Sequence, residues 1–283
     1  MPATMDAALL RTRAEIFHEL HAGPELLVLA NAWDVASARL VEAAGFPAVA
    51  TSSAGAAWSL GYPDGERIPR AEMLALVGRV TGAVEVPVTA DLEAGYGASP
   101  EAVAETVRQA IAAGAVGMNL EDSSAAAGHR LLDHDLAVAR VRAARGAADE
   151  LGLPFVINAR TDAFFPTAMA GEDRFAEAVR RARAYRDAGA RSVFVPFVEE
   201  GETIGRLAAA IDAPLNVLAG PRSPPLGRLR ALGVARVSLG GSLARAAYGA
   251  LRRALGEIRA AGTYTFNEGA ASFDEMNQLL AGR

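Results

Sequence analysis

The sequence predicts an α/β chain: a single (β/α)8 barrel of the TIM type with an extra C-terminal helical segment. Three observations carry this. Eight short apolar runs recur along the chain, and most are continuous Val, Leu, Ile and Ala rather than alternating, the pattern of parallel strands buried on both faces. Helical patterns fill the gaps between them. A glycine closes four of those helices just ahead of a strand.

Taken in order, the N-terminus with Arg11, Arg13 and Glu15 reads as a polar helix that lacks a signal-peptide core. The strand runs are Leu26–Ala30, Ala48–Ser52, Val86–Asp91, Gly117–Glu121, Pro154–Arg160, Ser192–Phe197, Leu215–Ala219 and Arg236–Gly240. The helical patterns are Val35–Ala44, Arg70–Val80, Pro100–Ala113, Asp135–Leu151, Arg174–Ala188, Glu202–Ile211, Leu226–Leu232 and Leu243–Ala261. Asp34, Ser99 before Pro100, and Ser223 before Pro224 are expected N-caps. Gly45, Gly114, Gly189 and Gly233 are expected in the left-handed conformation that ends a helix. An open doubly wound sheet is the structural alternative. It would carry GxGxxG in its first strand-to-helix turn, and none is present. Residues 1–283 are read as one domain. Residues 262–283, with Phe266, Phe273, Met276, Leu279 and Leu280, form a terminal appendage expected to cap the barrel or reach a neighbouring subunit.

Composition removes whole classes of chemistry. Apolar residues make up 51% of 283, and the net charge is -5. All 28 basic residues are Arg; Lys and Cys are absent. No lysine Schiff base or phosphate-loop lysine is possible, nor is a thiol nucleophile, disulfide or thiolate metal site. The mildly acidic balance, without a basic stripe, disfavours nucleic acid as a partner. The longest uncharged stretch, Ala43 to Pro63, is broken by Gly, Pro and hydroxyl residues and does not read as a membrane span. A cytoplasmic protein is expected.

In a barrel of this kind chemistry sits at the C-terminal strand ends. Asp91 and Glu93 end one run, and Glu121 ends the next. Adjacent strands lie about 4.8 Å apart, so the three carboxylates are expected to converge around a cation. An oxygen-only set suits Mg2+ or Mn2+ rather than zinc. Arg160 is a candidate fork for a substrate carboxylate, and the amides of the Ser52-Ser53 turn are candidates for the same anion. Plainer readings stand beside these. Each acid is also a possible helix cap or loop charge, and Arg160 a possible ion-pair partner of Asp162. Asp34 reads better as a cap than as a catalyst. His18, His21 and His134 read as surface or packing residues, and Gly240-Gly241 as a tight turn rather than a phosphate cradle. The small, polar loop Ser123 to Asp133 is either a lid or an ordinary surface loop.

Several segments, in order, are similar to the isocitrate lyase/phosphoenolpyruvate mutase superfamily. They are Asn31-Ala32-Trp33-Asp34, Thr51-Ser52-Ser53, Gly61-Tyr62-Pro63-Asp64-Gly65, Ala90 through Gly97, Leu120-Glu121-Asp122, Asn158 through Asp162, and Leu215 through Leu218. The resemblance spans about Leu26 to Leu251. It implies a (β/α)8 barrel with Mg2+ at the strand ends, and a homotetramer or homodimer whose terminal helix packs on a partner subunit. It implies Asp91 as main metal ligand, with Glu93 and Glu121 in support, partly through water. Glu93 stands where better-known members have Asp. The resemblance further implies Asp64 facing the reacting centre, Ser52 and Ser53 in an anion-binding turn, and Arg160 and Asn216 on a small carboxylate substrate.

The implied chemistry is formation of a metal-stabilised enolate of a 2-oxo acid, which requires no lysine. The chain departs from the lyases at Ala126-Ala127-Gly128-His129-Arg130, where they carry KKCGH or KRCGH with Cys as general acid. His129 and Tyr96 are the candidate replacements. The expected function is carbon–carbon cleavage, by a lyase or a decarboxylase. The alternatives are phosphorus–carbon chemistry, with Asp64 as nucleophile or base, and a non-catalytic dicarboxylate-binding relative.

Overall fold

The computed structural model describes residues 6–125, 128–169 and 173–281. The expected lid positions Ala126 and Ala127 lie outside the described residues. Nine parallel strands form one sheet: β1 (Leu27–Leu29), β2 (Asn31–Ala32), β3 (Val49–Thr51), β4 (Val88–Asp91), β5 (Gly117–Glu121), β6 (Val156–Arg160), β7 (Ser192–Phe194), β8 (Leu215–Leu218) and β9 (Arg236–Ser238). Their order is β1-β9-β8-β7-β6-β5-β4-β3-β2. β1 and β2 are separated only by Ala30, so the two sheet ends belong to one stretch of chain. Its first half pairs with β9 and its second half with β3. Each of the eight apolar runs therefore supplies one barrel strand, and the first is kinked to hand over between neighbours.

The flanking helices are α1 (Ala7–Leu20), α2 (Val35–Ala43), α3 (Ser53–Ser59), α4 (Arg70–Ala83), α5 (Pro100–Ala112), α6 (His134–Glu150), α7 (Arg174–Asp187), α8 (Gly201–Ile211), α9 (Leu226–Ala231), α10 (Ser242–Ala261) and α11 (Phe273–Ala281). Asp34 caps α2 through a reciprocal box with Ser37, and Ser99 caps α5 by accepting from the Ala102 amide. Ser223 does not cap α9. Its hydroxyl accepts from the Gly220 amide, closing a turn upstream, and the helix starts after Pro225 without a side-chain cap. The four helix-ending glycines have φ of 82°, 87°, 104° and 84°. At Gly189 a side chain would also meet Arg145 at 2.6 Å, so both conformation and space demand glycine there.

The core fills the barrel and the shell between strands and helices, with Phe17, Met73, Leu92, Met118, Phe155 and Ile157 among its fully buried members. Inside the barrel, cross-strand register stacks polar side chains into layers. Asp91 stands level with Asn119, and Asn119 with Asn158. Asn158 donates to Asn119 at 2.7 Å, and Asn119 donates to Asp91 at 3.2 Å. One step further toward the C-terminal end, Glu121 stands level with Arg160, and Arg160 with Phe194.

α11 lies on α2, where Arg39 donates to the Leu279 carbonyl at 3.0 Å. α10 buries only Ala244 and leaves Tyr248, Leu251, Leu255 and Ile258 exposed along one face. No helix among the described residues is long and apolar enough to cross a membrane.

Candidate active site at the C-terminal strand ends

A cavity of about 330 Å3 opens at the C-terminal ends of the strands. Ser52, Ser53, Asp64, Asp91, Glu93, Glu121, His129 and Arg160 all line it. These are most of the residues that the sequence singled out. Asn216 and Tyr96 are not among the lining residues. Asn216 lies fully buried on β8, level with Phe194, and bonds Ser238, which does line the cavity. The Tyr96 hydroxyl is buried with no hydrogen-bond partner. Burial first, then the carboxylates of Glu93 and Glu66, hold it protonated far above its usual range.

The Ser52-Ser53 turn works differently from the expectation. The Ser53 amide and hydroxyl both donate to Asp91 Oδ2, at 2.9 and 2.8 Å. The Ser52 amide is bonded to the Ala32 carbonyl, and its hydroxyl accepts from Gly55 to cap α3. Both amides are engaged, so the turn positions Asp91 rather than holding an anion by its backbone. With Asn119, three donors fix that carboxylate at the end of β4.

Asp91, Glu93 and Glu121, expected around one cation with Asp91 as the main ligand, all line the one cavity. Among the described residues no group of three or more His, Asp or Glu is placed to hold a metal ion. Each carboxylate is turned toward a partner of its own. Glu93 accepts from the Glu66 amide at 2.7 Å, and Glu121 accepts from Arg160 Nη1 at 2.7 Å. The Glu93 arrangement depends on unusual backbone. Glu66, Glu93 and Tyr96 have φ of 56°, 49° and 56°, and they interlock: Glu66 donates to Glu93, and Tyr96 donates to the Glu66 carboxylate at 2.8 Å. Left-handed conformations cost energy in residues with a Cβ, and they persist where surrounding bonds hold them.

The acids still fit a hard cation. Burial, and then the negative charge of Asp91, raises both Asp64 and Glu93, the latter to about 8. Glu93 keeps one buried oxygen, Oε1, without a partner. Glu121 is raised by burial despite the attraction of Arg160. Magnesium commonly takes one or two protein carboxylates and keeps several waters. Asp91, Glu93 and Glu121 are the residues that would hold such a cation.

Arg160 is held on two sides. Its Nε donates to Asp162 Oδ1 and its Nη1 to Glu121 Oε1, both at 2.7 Å. The ion-pair reading with Asp162 is therefore correct, and Arg160 also lines the cavity. Asp162 itself is buried, accepting from Ser123 Oγ, and its amide donates to Asp122. Asp122 is in turn bonded by Tyr185 at 2.6 Å and Arg181 at 3.3 Å. Arg181 reaches on to the Leu132 carbonyl at 2.8 Å. One buried network thus ties Arg160 to both roots of the loop Ser123–Asp133.

That loop crosses the site. Ser123 pairs with Leu131 in an antiparallel bridge, and Ser123, Ser124, Ala125 and His129 line the cavity. His129 stacks on Phe165 with ring centroids 4.2 Å apart, and its buried Nδ1 has no partner.

The sequence reading did not single out Asn31, Asn119, Glu66, Phe165, Phe194 or Phe197, all of which line the cavity. Asn31 Oδ1 accepts from the amides of Leu239 and Gly240, at 2.8 and 2.9 Å, fixing the Gly240-Gly241 turn. Asn31 and Asn119 had a signal, since both fall at ends of recognised strand runs. Phe197 ends the run Ser192–Phe197 and shared that signal, whereas Phe165 had none.

The family model of phosphoenolpyruvate phosphomutase matches residues 17–259. The chain belongs to this family. It is one branch of the isocitrate lyase/phosphoenolpyruvate mutase superfamily, as the sequence resemblance implied. A solved structure from Burkholderia cenocepacia J2315, provisionally described as a lyase/mutase, is 40% identical, covers 98% of each chain and has a TM-score of 0.91. An uncharacterized protein of Mycobacterium tuberculosis is 38% identical over 79% of this chain and 81% of its own. The 2-methylisocitrate lyase of Escherichia coli is 36% identical over 63% of this chain and 60% of its own. A phosphonopyruvate hydrolase, solved in complex with oxalate and Mg++, is 25% identical, covers 95% of each chain and has a TM-score of 0.83. Of these relatives, one is named as a lyase and one as a hydrolase.

Proposed function

We propose that this chain is a Mg2+-dependent enzyme that cleaves a carbon–carbon bond in a small 2-oxo- or 2-hydroxycarboxylate through an enolate, as a lyase or decarboxylase. The observation that carries this is Asp91, fixed by three donors in an acidic cavity where burial, and then its charge, raises Asp64 and Glu93. Such a cluster calls for a hard cation. Bound Mg2+ (or Mn2+) supplies positive charge beside the developing enolate oxygen.

The chain's own residues do the rest. Arg160, pre-oriented by Asp162 and Glu121, meets the substrate carboxylate. Asp64, lining the same wall as Asp91, takes a proton from the substrate; its raised pKa suits a base. His129 returns a proton from the loop above, in place of the cysteine that the lyases carry. Ser53 acts on substrate through the Asp91 it holds, and Ser52 through the cavity wall it forms. Asn216 acts through Ser238, and Tyr96 through the Glu66 carboxylate. The loop, seated on Phe165, excludes water from the reaction.

Phosphorus–carbon chemistry is the second reading, favoured by the matching family model and by Asp64 facing the cavity as a nucleophile. The deciding test is an assay panel with Mg2+: oxaloacetate, 4-hydroxy-2-oxo acids, methylisocitrate, isocitrate, phosphonopyruvate and phosphoenolpyruvate. Turnover of a carbon–carbon substrate, abolished in Asp91→Ala, is the expected result. Turnover of the phosphorus compounds alone moves the assignment to the second reading. Mg2+-dependent oxalate binding without any turnover makes the chain a non-catalytic relative. A fully active Asp91→Ala enzyme removes the metal assignment.

A further inference from the structure

The cavity is lopsided in chemistry. Its lining carries five carboxylates, Asp64, Glu66, Asp91, Glu93 and Glu121, and one guanidinium, Arg160. That guanidinium is already bonded to two carboxylates. Besides Asn, Ser and small residues, one side of the lining is aromatic. His129 stacks on Phe165 at 4.2 Å, Phe165 meets Phe197 edge-on at 5.0 Å, and the Arg160 guanidinium lies 5.7 Å from the ring centres of both Phe194 and Phe197.

Phe197 is held there against its own preference. Its φ is 64°, a region that bulky side chains avoid, and its ring remains 43% exposed at the cavity mouth. Neither burial nor backbone comfort accounts for a large apolar ring in that place. Strain kept at a site of this kind points to a use for the side chain that requires it.

We infer that Phe197 and Phe165 select the substrate: a 2-oxo or 2-hydroxy acid whose only carboxylate is the one beside the oxo or hydroxy group, and whose other end is uncharged and apolar or flat. The physical reason is the scarcity of cationic partners. A second carboxylate near the aromatic wall loses its water and, among the described lining residues, faces five carboxylates against one guanidinium, already bonded to Glu121 and Asp162, and the single imidazole of His129, stacked on Phe165. An apolar or flat group there gains ring contacts and covers exposed apolar surface. The inference rests on the proposed function, and within it favours a lyase over a decarboxylase, because decarboxylation of a 2-oxo diacid needs the second carboxylate.

The test is calorimetric titration of the full chain with Mg2+, using oxalate, 2-oxo-3-methylbutanoate, phenylpyruvate and 2-oxoglutarate as probes. The two acids with uncharged substituents are expected to bind roughly tenfold or more tightly than 2-oxoglutarate. Phe197→Gly and Phe165→Ala are expected to reduce that ratio to about threefold or less while leaving oxalate affinity within about threefold. Phe197→Gly is also expected to keep or raise the melting temperature, because glycine adopts the left-handed conformation freely. Equal or tighter binding of 2-oxoglutarate overturns the inference while leaving the proposed function standing, as does an unchanged ratio in both variants. A wild-type chain that binds no oxalate in the presence of Mg2+ overturns the proposed function, and this inference with it.

Discussion

Glu121 and Arg160 stand at the same level on adjacent strands β5 and β6, and their side chains meet at 2.7 Å inside the active-site mouth. Their pairing sets the orientation of the one guanidinium that lines the cavity.

Removing half of this pair is expected to be costly. Glu121→Gln leaves Arg160 bonded only to Asp162 and removes a negative charge from the mouth. Breaking a buried ion pair costs about 3–5 kcal/mol, reduced here because Asp162 keeps its hold. A lowered urea midpoint together with an increased KM is the expected outcome, measured by denaturation and steady-state kinetics. Arg160→Lys is expected to do worse in KM, since an ammonium cannot reproduce the fork toward two acids.

His129 is expected to act in proton transfer rather than in folding. It sits on the loop, stacked on one ring, and its buried Nδ1 is unpartnered. His129→Ala is expected to lower kcat by about 100-fold or more with little change in Mg2+-dependent oxalate affinity. Unchanged turnover would remove it from the mechanism.

His21 gives the fold a pH dependence away from the site. It is buried, its Nδ1 lies 2.8 Å from the Phe17 carbonyl, and its Nε2 lies 3.3 Å from Arg236. Nδ1 therefore carries the proton and donates to Phe17, and Nε2 accepts from the guanidinium. Burial, then the Arg236 charge, lowers its pKa from 6.5 to about 3. The unfolded chain therefore binds a proton below pH 6.5 that the fold refuses. Stability from this group is full above that pH and falls as pH drops toward 3. Between pH 7 and pH 5 the loss is about 2 kcal/mol. In His21→Gln, the acid-side fall in urea midpoint is expected to be shallower than in the wild type by that amount.

The exposed stripe Tyr248, Leu251, Leu255 and Ile258 on α10, with Phe273 at 82% exposure beyond it, is expected to bury against a second copy of the chain. Homotetramer or homodimer formation, measured by sedimentation, should fail in a Leu251→Asp/Leu255→Asp double variant that keeps its circular dichroism. A wild-type monomer at micromolar concentration would refute this.

Much of the fold could be read directly because its signals are local. Gly117–Glu121 is a strand with the bounds expected from its apolar run, and the helix-ending glycines take the conformations their position requires. The helix Ser53–Ser59 was not foreseen. Its sequence, Ser-Ala-Gly-Ala-Ala-Trp-Ser, has no apolar period, and its small residues suit a tight place. A side chain at Gly55 would lie 2.7 Å from Trp33. The split of the first strand at Ala30 was equally silent, since it follows from barrel closure and not from any residue nearby.

The candidate site divides along the same line. The acids, the arginine and the loop histidine were legible, because chemistry-bearing residues at strand ends stand out by type and by family resemblance. Which partners they take was not. Glu121 could have joined Asp91 around a cation, but strand register aims it at Arg160. Glu93 could have done so too, but a left-handed backbone turns it to the Glu66 amide. The ring of Phe165 and those of Phe194 and Phe197 come from two separate chain segments and meet only in space.

The sequence by itself determined the eight strand-and-helix units, the exclusion of lysine and thiol chemistry, and the strand-end acids Asp91, Glu93 and Glu121 of the cavity. Those follow from residue type and local period. The tertiary structure alone decided the ion pairs, the strained turns and the aromatic wall. Those depend on distances between residues far apart in the chain, which strand register and barrel closure set.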